Sequence, residues 1–299
     1  FQELDILNNI AKSKNANQGI MLRLSPSVDA HTHAHTTTGI LDVKFGFSIE
    51  TGESSIAIKQ ALDSSNLTLQ GIHFHLGSPI FELEPYSNAI DTVFDYLKPF
   101  LHQGLDLKKF SPGGGFAIGY LQRQLPPSIG GYADVITSML KTKCDDLGID
   151  YPELIIEPGR SIVGRAGVAI YTVGVTKVIP NVRTYVSLDG GMGDNIRPAL
   201  YEAQYEAVAA NKMSTTHFET VTLAGKYCET GDILVKDVSL PILDSGDLVA
   251  IPASGAYCIA MSSNYNMNPR PEIIMVSDGA SRIIKRRETY QDLMALDFS

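Results

Sequence analysis

The sequence is poor in cysteine. Its 299 residues contain three, Cys144, Cys228 and Cys258, far apart along the chain. An odd and widely spaced set fits neither a disulfide framework nor a zinc knuckle, because both need closely placed partners. The cysteine count therefore indicates a reducing compartment, and we expect the protein to be cytoplasmic.

Long apolar runs and basic charge are also scarce. No stretch approaches the roughly 18 apolar residues of a membrane span, and residues 1–5 carry neither the basic nor the apolar part of a signal peptide. Lys and Arg number 24 against 33 Asp and Glu, a net charge of −9. This balance excludes the basic surface that nucleic acids or anionic membranes require. We therefore expect a small-molecule ligand, without nucleic-acid or membrane partners.

The first 160 residues alternate between strand and helix patterns. The chain opens with Phe1 in place of methionine and with an amphipathic helix already under way, so we expect the natural protein to have a preceding segment. Strand-like runs occupy residues 19–25, 69–75, 108–111 and 154–157, and helical spacing recurs near 56–62, 86–101 and 132–140. Such alternation predicts parallel strands with right-handed crossovers. Four strands would form half of an eight-stranded barrel.

The remaining residues have a different pattern, which predicts a second domain. Chain length alone would also allow a single barrel. Short β-rich segments follow one another at 168–179, 184–188, 218–223, 232–238, 247–252 and 272–275, with a hairpin turn at 277–280. One helix is predicted at about 197–210 and a short one at 291–296. The predicted fold is α/β: the second half of a (β/α)8 TIM-type barrel in residues 1–160, then an antiparallel β-sheet or barrel domain in residues 161–299.

The end of the fourth predicted strand carries two charged residues on either side of a glycine. Glu157, Gly159 and Arg160 follow the apolar residues 154–156. A fixed carboxylate and a fixed guanidinium beside backbone that a ligand can approach closely would suit a cationic ring that carries a phosphate. The alternative is a strand end with a turn and a surface ion pair.

Three other strands are followed by polar or glycine-rich segments. Barrel enzymes place their active sites at these carboxyl ends of the strands. His73 and His75 precede Ser78, and the run Gly113–Gly115 exposes backbone N–H groups that suit a phosphate. A flexible turn and core histidines are the alternatives. The polar loop at residues 29–39 contains three histidines at alternate positions, which also allows a metal-dependent amidohydrolase.

Seven motifs in this order resemble the barrel-fold pyridoxal-phosphate-dependent decarboxylases, and among them the diaminopimelate decarboxylases. They are HFHLGS at 73–78, SPGGGF at 111–116, EPGR at 157–160, DGGM at 189–192, RPALY at 197–201, CETGD at 228–232 and GAY at 255–257. The resemblance covers essentially the whole chain. It implies a lyase that removes CO2 from meso-2,6-diaminopimelate to give L-lysine.

The resemblance also implies a role for each motif residue. In the first domain, His75 would stack on the ring of pyridoxal 5'-phosphate, and Glu157 would pair with its nitrogen. Ser78, Gly113, Gly114 and Gly115 would contact the phosphate, and Gly159 and Arg160 would also bind the cofactor. Arg160 would lie between the phosphate and the substrate carboxylate. The family's Schiff-base lysine would lie in an early strand, which we expect upstream of Phe1.

In the second domain, the resemblance implies that Arg197 and Tyr201 hold the substrate's far carboxylate. Cys228 would donate a proton and Glu229 would bind the distal amine, both across the interface of a homodimer with shared active sites. Tyr257 would close the site over cofactor and substrate. The alternatives are a decarboxylase of ornithine, arginine or carboxynorspermidine, the metal-dependent amidohydrolase, and a non-catalytic homologue.

Overall fold

The computed structural model describes residues 1–30 and 43–298. The chain forms two compact units. The first comprises Phe1–Ile118 with Leu125–Ser161, and the second comprises Gly119–Gln124 with Ile162–Ser299. No helix within the described residues is both long and apolar enough to cross a membrane.

The first unit is a five-stranded parallel sheet with helices between its strands. Its sheet order is β2-β1-β3-β4-β5. The strands are β1 (Gln18–Ser25), β2 (Phe47–Ser48), β3 (Leu67–His73), β4 (Lys109–Ser111) and β5 (Glu153–Leu154), and the helices are α1 (Gln2–Ser13), α2 (Glu53–Leu62), α3 (Glu84–Leu101) and α4 (Ile129–Leu147). The predicted α/β class with parallel strands is confirmed. The two-residue strand β2 is an addition that the sequence did not indicate.

Helical spacing of apolar residues explains how α3 packs. Ile90, Val93 and Leu97 lie on the predicted stripe and are fully buried. Burial of each such side chain stabilises the fold by about 1.5–3 kcal/mol.

Helix α4 begins where the Ser128 hydroxyl accepts a hydrogen bond from the Gly131 N–H at 3.0 Å, and it ends at the left-handed Gly148.

The second unit is built on a six-stranded sheet of order β10-β9-β7-β6-β11-β8, with a separate hairpin β12-β13. Its strands are β6 (Ala169–Ile179), β7 (Arg183–Leu188), β8 (Val208–Ala209), β9 (Phe218–Ala224), β10 (Ile233–Pro241), β11 (Leu248–Ile251), β12 (Ile273–Ser277) and β13 (Ala280–Lys285). Three short α-helices follow β5 in the described part of the chain: α5 (Gly159–Val163), which begins in the first unit, α6 (Arg197–Tyr201) and α7 (Tyr290–Leu293). The pairing is antiparallel except between β7 and β9.

The helix predicted at 197–210 is wrong beyond its first turn. Helix α6 ends at Tyr201 because Glu202 adopts a left-handed conformation with φ of 53°. Val208–Ala209 then pairs with β11 as a strand. The predicted C-terminal helix is also displaced, since α7 ends at Leu293.

Two predicted strands end earlier than expected. Strand β3 stops at His73, two residues before His75, and β5 stops at Leu154. Glu157 lies beyond β5 but forms an isolated parallel bridge with Gly114. The histidines at positions 31, 33 and 35 fall outside the described residues.

Candidate active site

A charged cluster lies at the carboxyl ends of strands in the first unit. His73 Nε2 is 3.0 Å from Glu157 Oε1, and Arg23 on β1 is the register partner of His73 on β3. Burial, opposed by the nearby Glu157 and assisted by Arg23, lowers the pKa of His73. A neutral His73 donates its Nε2–H to the carboxylate, whose side chain is half exposed (52%).

His75 is a neutral ring with a fixed tautomer. Its Nδ1 accepts a hydrogen bond from the Gly114 N–H at 3.1 Å, which leaves the ring proton on Nε2. Burial, followed by the positive charge of Arg23, lowers the pKa of His75 to about 4. An uncharged, flat imidazole at this position suits stacking on a cationic aromatic ring.

The glycine run is packed against backbone on several sides. A Cβ atom on Gly114 would lie 2.0 Å from the Glu157 carbonyl oxygen, and one on Gly115 would lie 2.4 Å from the Gly77 oxygen. The Gly113 N–H donates to the Ser111 hydroxyl at 3.2 Å. The N–H groups of Gly113 and Gly114 therefore both donate to side chains of the protein. The phosphate contacts expected of this run remain a prediction.

Arg160 and Ser78 form a hydrogen-bonded pair whose chemistry suits an anion. Arg160 is 7% exposed, and the Nε and Nη2 atoms of its guanidinium donate to the Ser78 hydroxyl oxygen at 3.3 and 3.1 Å. Because Ser78 accepts these bonds, its own proton points elsewhere as a donor. An added Cβ on the adjacent Gly159 would meet no atom within 4 Å. A buried cation, a hydroxyl donor, a neutral imidazole and a carboxylate together fit pyridoxal 5'-phosphate.

Two buried tyrosines form hydrogen bonds with the backbone next to this cluster, and the sequence indicated only that both begin segments with helical spacing. The Tyr86 hydroxyl donates to the Gly114 carbonyl at 2.7 Å. The Tyr132 hydroxyl donates to the Ile80 carbonyl at 2.5 Å and accepts from the Ala117 N–H at 3.2 Å. Burial raises the pKa of both phenols. The only sequence signal was a hydroxyl within an apolar helical stripe.

Arg197 in the second unit is a buried cation that has no carboxylate partner among the described residues. It is 5% exposed, donates to the Tyr205 hydroxyl, and lies over the rings of Tyr120 and Tyr205 at 4.8 and 5.4 Å. It forms no ion pair with any carboxylate in residues 1–30 or 43–298. Tyr201 lies half-buried at the end of the same short helix. This arrangement suits an anionic ligand.

Cys228 and Glu229 lie in the turn between β9 and β10. Cys228 is exposed, whereas Cys144 and Cys258 are buried. Its Sγ accepts a hydrogen bond from Asn266 Nδ2 at 3.2 Å, and Glu229 accepts one from the Tyr265 hydroxyl. Neither Tyr265 nor Asn266 was predicted from the sequence, because neither belongs to a recognised motif.

The Asp232 carboxylate fixes the same turn to residues 189–192. It accepts hydrogen bonds from the Met192 N–H at 2.6 Å and the Tyr227 N–H at 2.9 Å. Burial raises the pKa of Asp232, against the lowering effect of these bonds. The DGGM and CETGD motifs are therefore joined structurally.

Tyr257 is 42% exposed and has a left-handed backbone, with φ of 69°. Such a conformation costs a residue with a side chain on the order of 1–2 kcal/mol. Gly255 supports it by close packing, because a Cβ there would lie 1.9 Å from the Val163 oxygen.

Within the described part of the chain, no three His, Cys, Asp or Glu side chains are grouped to hold a metal ion.

Known proteins resemble the chain over almost its whole length. The family described as "Pyridoxal-dependent decarboxylase, pyridoxal binding domain" matches residues 1–164. Diaminopimelate decarboxylase of Bacillus subtilis is 43% identical, a match that covers 99% of this chain and 68% of the relative.

Solved structures agree. Diaminopimelate decarboxylase from Helicobacter pylori, complexed with L-lysine, has a TM-score of 0.88 at 32% identity, over 99% of this chain and 71% of that one. The M. jannaschii enzyme in co-complex with L-lysine has a TM-score of 0.91 at 34% identity, over 100% and 68%. The chain therefore belongs to the diaminopimelate decarboxylases, within the pyridoxal-dependent decarboxylase family.

Proposed function

We propose that the protein removes CO2 from meso-2,6-diaminopimelate and releases L-lysine, with pyridoxal 5'-phosphate as its cofactor. Family membership supports a pyridoxal-dependent carboxy-lyase. The observation that carries the choice of substrate is the buried Arg197, which lacks a carboxylate partner among the described residues. Diaminopimelate keeps a second carboxylate after decarboxylation, whereas ornithine and arginine have none. Arg197 would distinguish these substrates by binding that second carboxylate.

The residues of the first unit would hold the cofactor, which when bound supplies an electron sink for the electron pair of the departing carboxylate. Arg160 and Ser78 would bind its phosphate. The neutral face of His75 would lie against the ring, and Glu157 would keep the ring nitrogen protonated. The His73 hydrogen bond at 3.0 Å orients the Glu157 carboxylate for this role.

The residues of the second unit would act on the substrate. The exposed Cys228 thiol would donate the proton that replaces CO2, and Glu229 would bind the distal amine. Tyr201 would assist Arg197, and Tyr257 would close the site. As in the resemblance drawn from the sequence, we propose that Cys228 and Glu229 act across the interface of a cytoplasmic homodimer.

The substitution Arg197→Met tests the substrate assignment in the complete gene product. Loss of a buried charged partner costs about 2–5 kcal/mol, so kcat/KM for meso-diaminopimelate should fall at least about 30-fold, while the absorption of the bound cofactor stays unchanged. Arg183→Met is a matched control, because Arg183 pairs with Asp237 at 3.2 Å on the same sheet. Near-native kcat/KM in the Arg197 variant would refute the role in carboxylate binding.

A further inference from the structure

The proposed catalytic pair has neighbours that orient both of its side chains. Asn266 Nδ2 donates to Cys228 Sγ at 3.2 Å, and the Tyr265 hydroxyl donates to Glu229 Oε1. The two donors are consecutive residues of one short 3-10 turn, Tyr265–Met267. Cys228 and Asn266 are both exposed, so dense packing alone does not force this contact.

The turn holds a backbone conformation that ordinary residues avoid. Asn266 has φ of 52° and ψ of 32°, and Met267 has φ of 58°. Asparagine visits this left-handed region more readily than most residues, but methionine is strained there because its Cβ lies too close to the following carbonyl oxygen. Such a conformation persists only where surrounding contacts hold it.

Glu288 supplies those contacts at both ends of the turn. Its Oε2 accepts from Asn264 Nδ2 at 2.6 Å and from the Arg270 N–H at 2.8 Å, and its Oε1 accepts from Arg270 Nη1 at 3.0 Å. Asn264 Nδ2 also donates to the Asn268 carbonyl at 3.0 Å. These bonds lower the pKa of Glu288, the Arg270 backbone bond most strongly. The turn is therefore braced independently of Cys228 and Glu229.

We propose that Asn266 and Tyr265 are positioning residues that set the reactivity of Cys228 and the orientation of Glu229. This inference rests on the proposed roles of Cys228 and Glu229. When the Cys228 S–H bond breaks, the proton passes to the substrate carbon that lost CO2, and the electron pair stays on sulfur. The Asn266 N–H then stabilises the thiolate with a charge-assisted hydrogen bond. Tyr265 holds the Glu229 carboxylate toward an amine.

Tyr265 remains a donor across the physiological range. Its hydrogen bond to Glu229 raises the pKa of the Tyr265 phenol, so the hydroxyl keeps its proton. The Tyr265 ring also packs beside Tyr227, with ring centroids 5.8 Å apart. Tyr265→Phe keeps this packing and removes only the donor, which makes it a clean test.

The first experiment measures how fast iodoacetamide alkylates Cys228 at neutral pH in the complete gene product without substrate. Peptide mass spectrometry separates Cys228 from the buried Cys144 and Cys258. A hydrogen bond worth about 0.5–1.5 kcal/mol corresponds to roughly a 2- to 12-fold effect, so Asn266→Ala should slow alkylation by that factor. Asn266→Asp, of the same size but with an acceptor facing sulfur, should slow it further.

Asn268→Ala is the control, because Asn268 donates to the Tyr265 and Asn266 carbonyls of the same turn at 3.1 and 3.4 Å. It should leave the alkylation rate within about twofold of native. Equal slowing in the Asn266 and Asn268 variants would show that only the turn matters and would overturn the proposal. An unchanged rate in both Asn266 variants would overturn it as well.

Steady-state kinetics then separate the two donors. Asn266→Asp should lower kcat for meso-diaminopimelate with little change in KM, and Tyr265→Phe should raise KM with little change in kcat. The reverse pattern would contradict the assignment. Native turnover in Cys228→Ala would instead refute the proposed function of the thiol, whereas loss of turnover in Cys228→Ala with native kinetics in both neighbours would refute the positioning inference alone.

Discussion

The substitution Gly114→Ala tests whether the glycine run is required by packing at the strand ends. The new Cβ would lie 2.0 Å from the Glu157 carbonyl oxygen, 3.0 Å from its carbonyl carbon and 3.3 Å from its Cβ. Real Cβ atoms essentially never come within 3.0 Å of such atoms, so the backbone at position 157 would have to move by about 1 Å. Gly114 lies outside the left-handed region, so the effect is steric.

The cost has two parts. Overpacking of this kind destabilises by about 1–3 kcal/mol. Displacement of the Gly114–Glu157 bridge also weakens the hydrogen bond from the Gly114 N–H to His75, worth about 0.5–1.5 kcal/mol. We expect the free energy of unfolding to fall by roughly 2–4 kcal/mol, and cofactor affinity to fall because both Glu157 and His75 shift.

The assay is urea unfolding followed by circular dichroism, with titration of pyridoxal 5'-phosphate by absorbance. Gly130→Ala in α4 is the control, because the nearest atom to its Cβ, the Ser128 hydroxyl oxygen, lies 3.7 Å away. Alanine in place of a helical glycine should be neutral or stabilising by up to about 1 kcal/mol. Equal stability and equal cofactor affinity in the two variants would refute the packing argument.

Two further predictions concern the side chains around this run. Tyr86→Phe removes the hydroxyl that donates to the Gly114 carbonyl at 2.7 Å, and the buried acceptor left unpaired should lower the free energy of unfolding by about 1–3 kcal/mol; a loss below 0.5 kcal/mol would contradict this. The pKa of His75, lowered to about 4 chiefly by burial, favours the neutral folded form, so this contribution to stability should be complete above about pH 6.5 and decline as pH falls toward 4. Between pH 7 and 5 the native protein should therefore lose about 1–2 kcal/mol more than His75→Asn, and parallel profiles would refute the assignment.

The main architecture was predictable because local patterns determine it. Apolar runs such as 19–25 and the helical stripe through Ile90, Val93 and Leu97 report burial directly. Strand β2 could not be predicted, because two residues become a strand only by pairing with Leu24 and Ser25. The helix expected at 197–210 failed for a related reason, since Val208–Ala209 pairs with a strand about 40 residues later in the chain.

The candidate site was predictable only at the level of motifs. Order and identity of the motifs pointed to His75, Glu157 and Arg160. They did not reveal that the Gly114 N–H is used by His75, or that Asn266 reaches Cys228 across 38 residues of sequence. Such contacts depend on tertiary structure, and an asparagine in a polar turn carries no periodic signal.

We infer that this pyridoxal-dependent decarboxylase requires a second carboxylate on its substrate, which the buried Arg197 would bind. In the assay, the complete gene product and pyridoxal 5'-phosphate are mixed with either meso-2,6-diaminopimelate or L-ornithine. CO2 and the amino-acid products are quantified in the same sample. We expect CO2 and L-lysine in equal amounts from diaminopimelate, with kcat/KM for ornithine lower by at least about 100-fold, the scale on which an unpaired buried charge rejects a ligand. Comparable kcat/KM for both substrates would contradict the role of Arg197 in substrate selection, and no lysine from diaminopimelate would contradict the proposed activity.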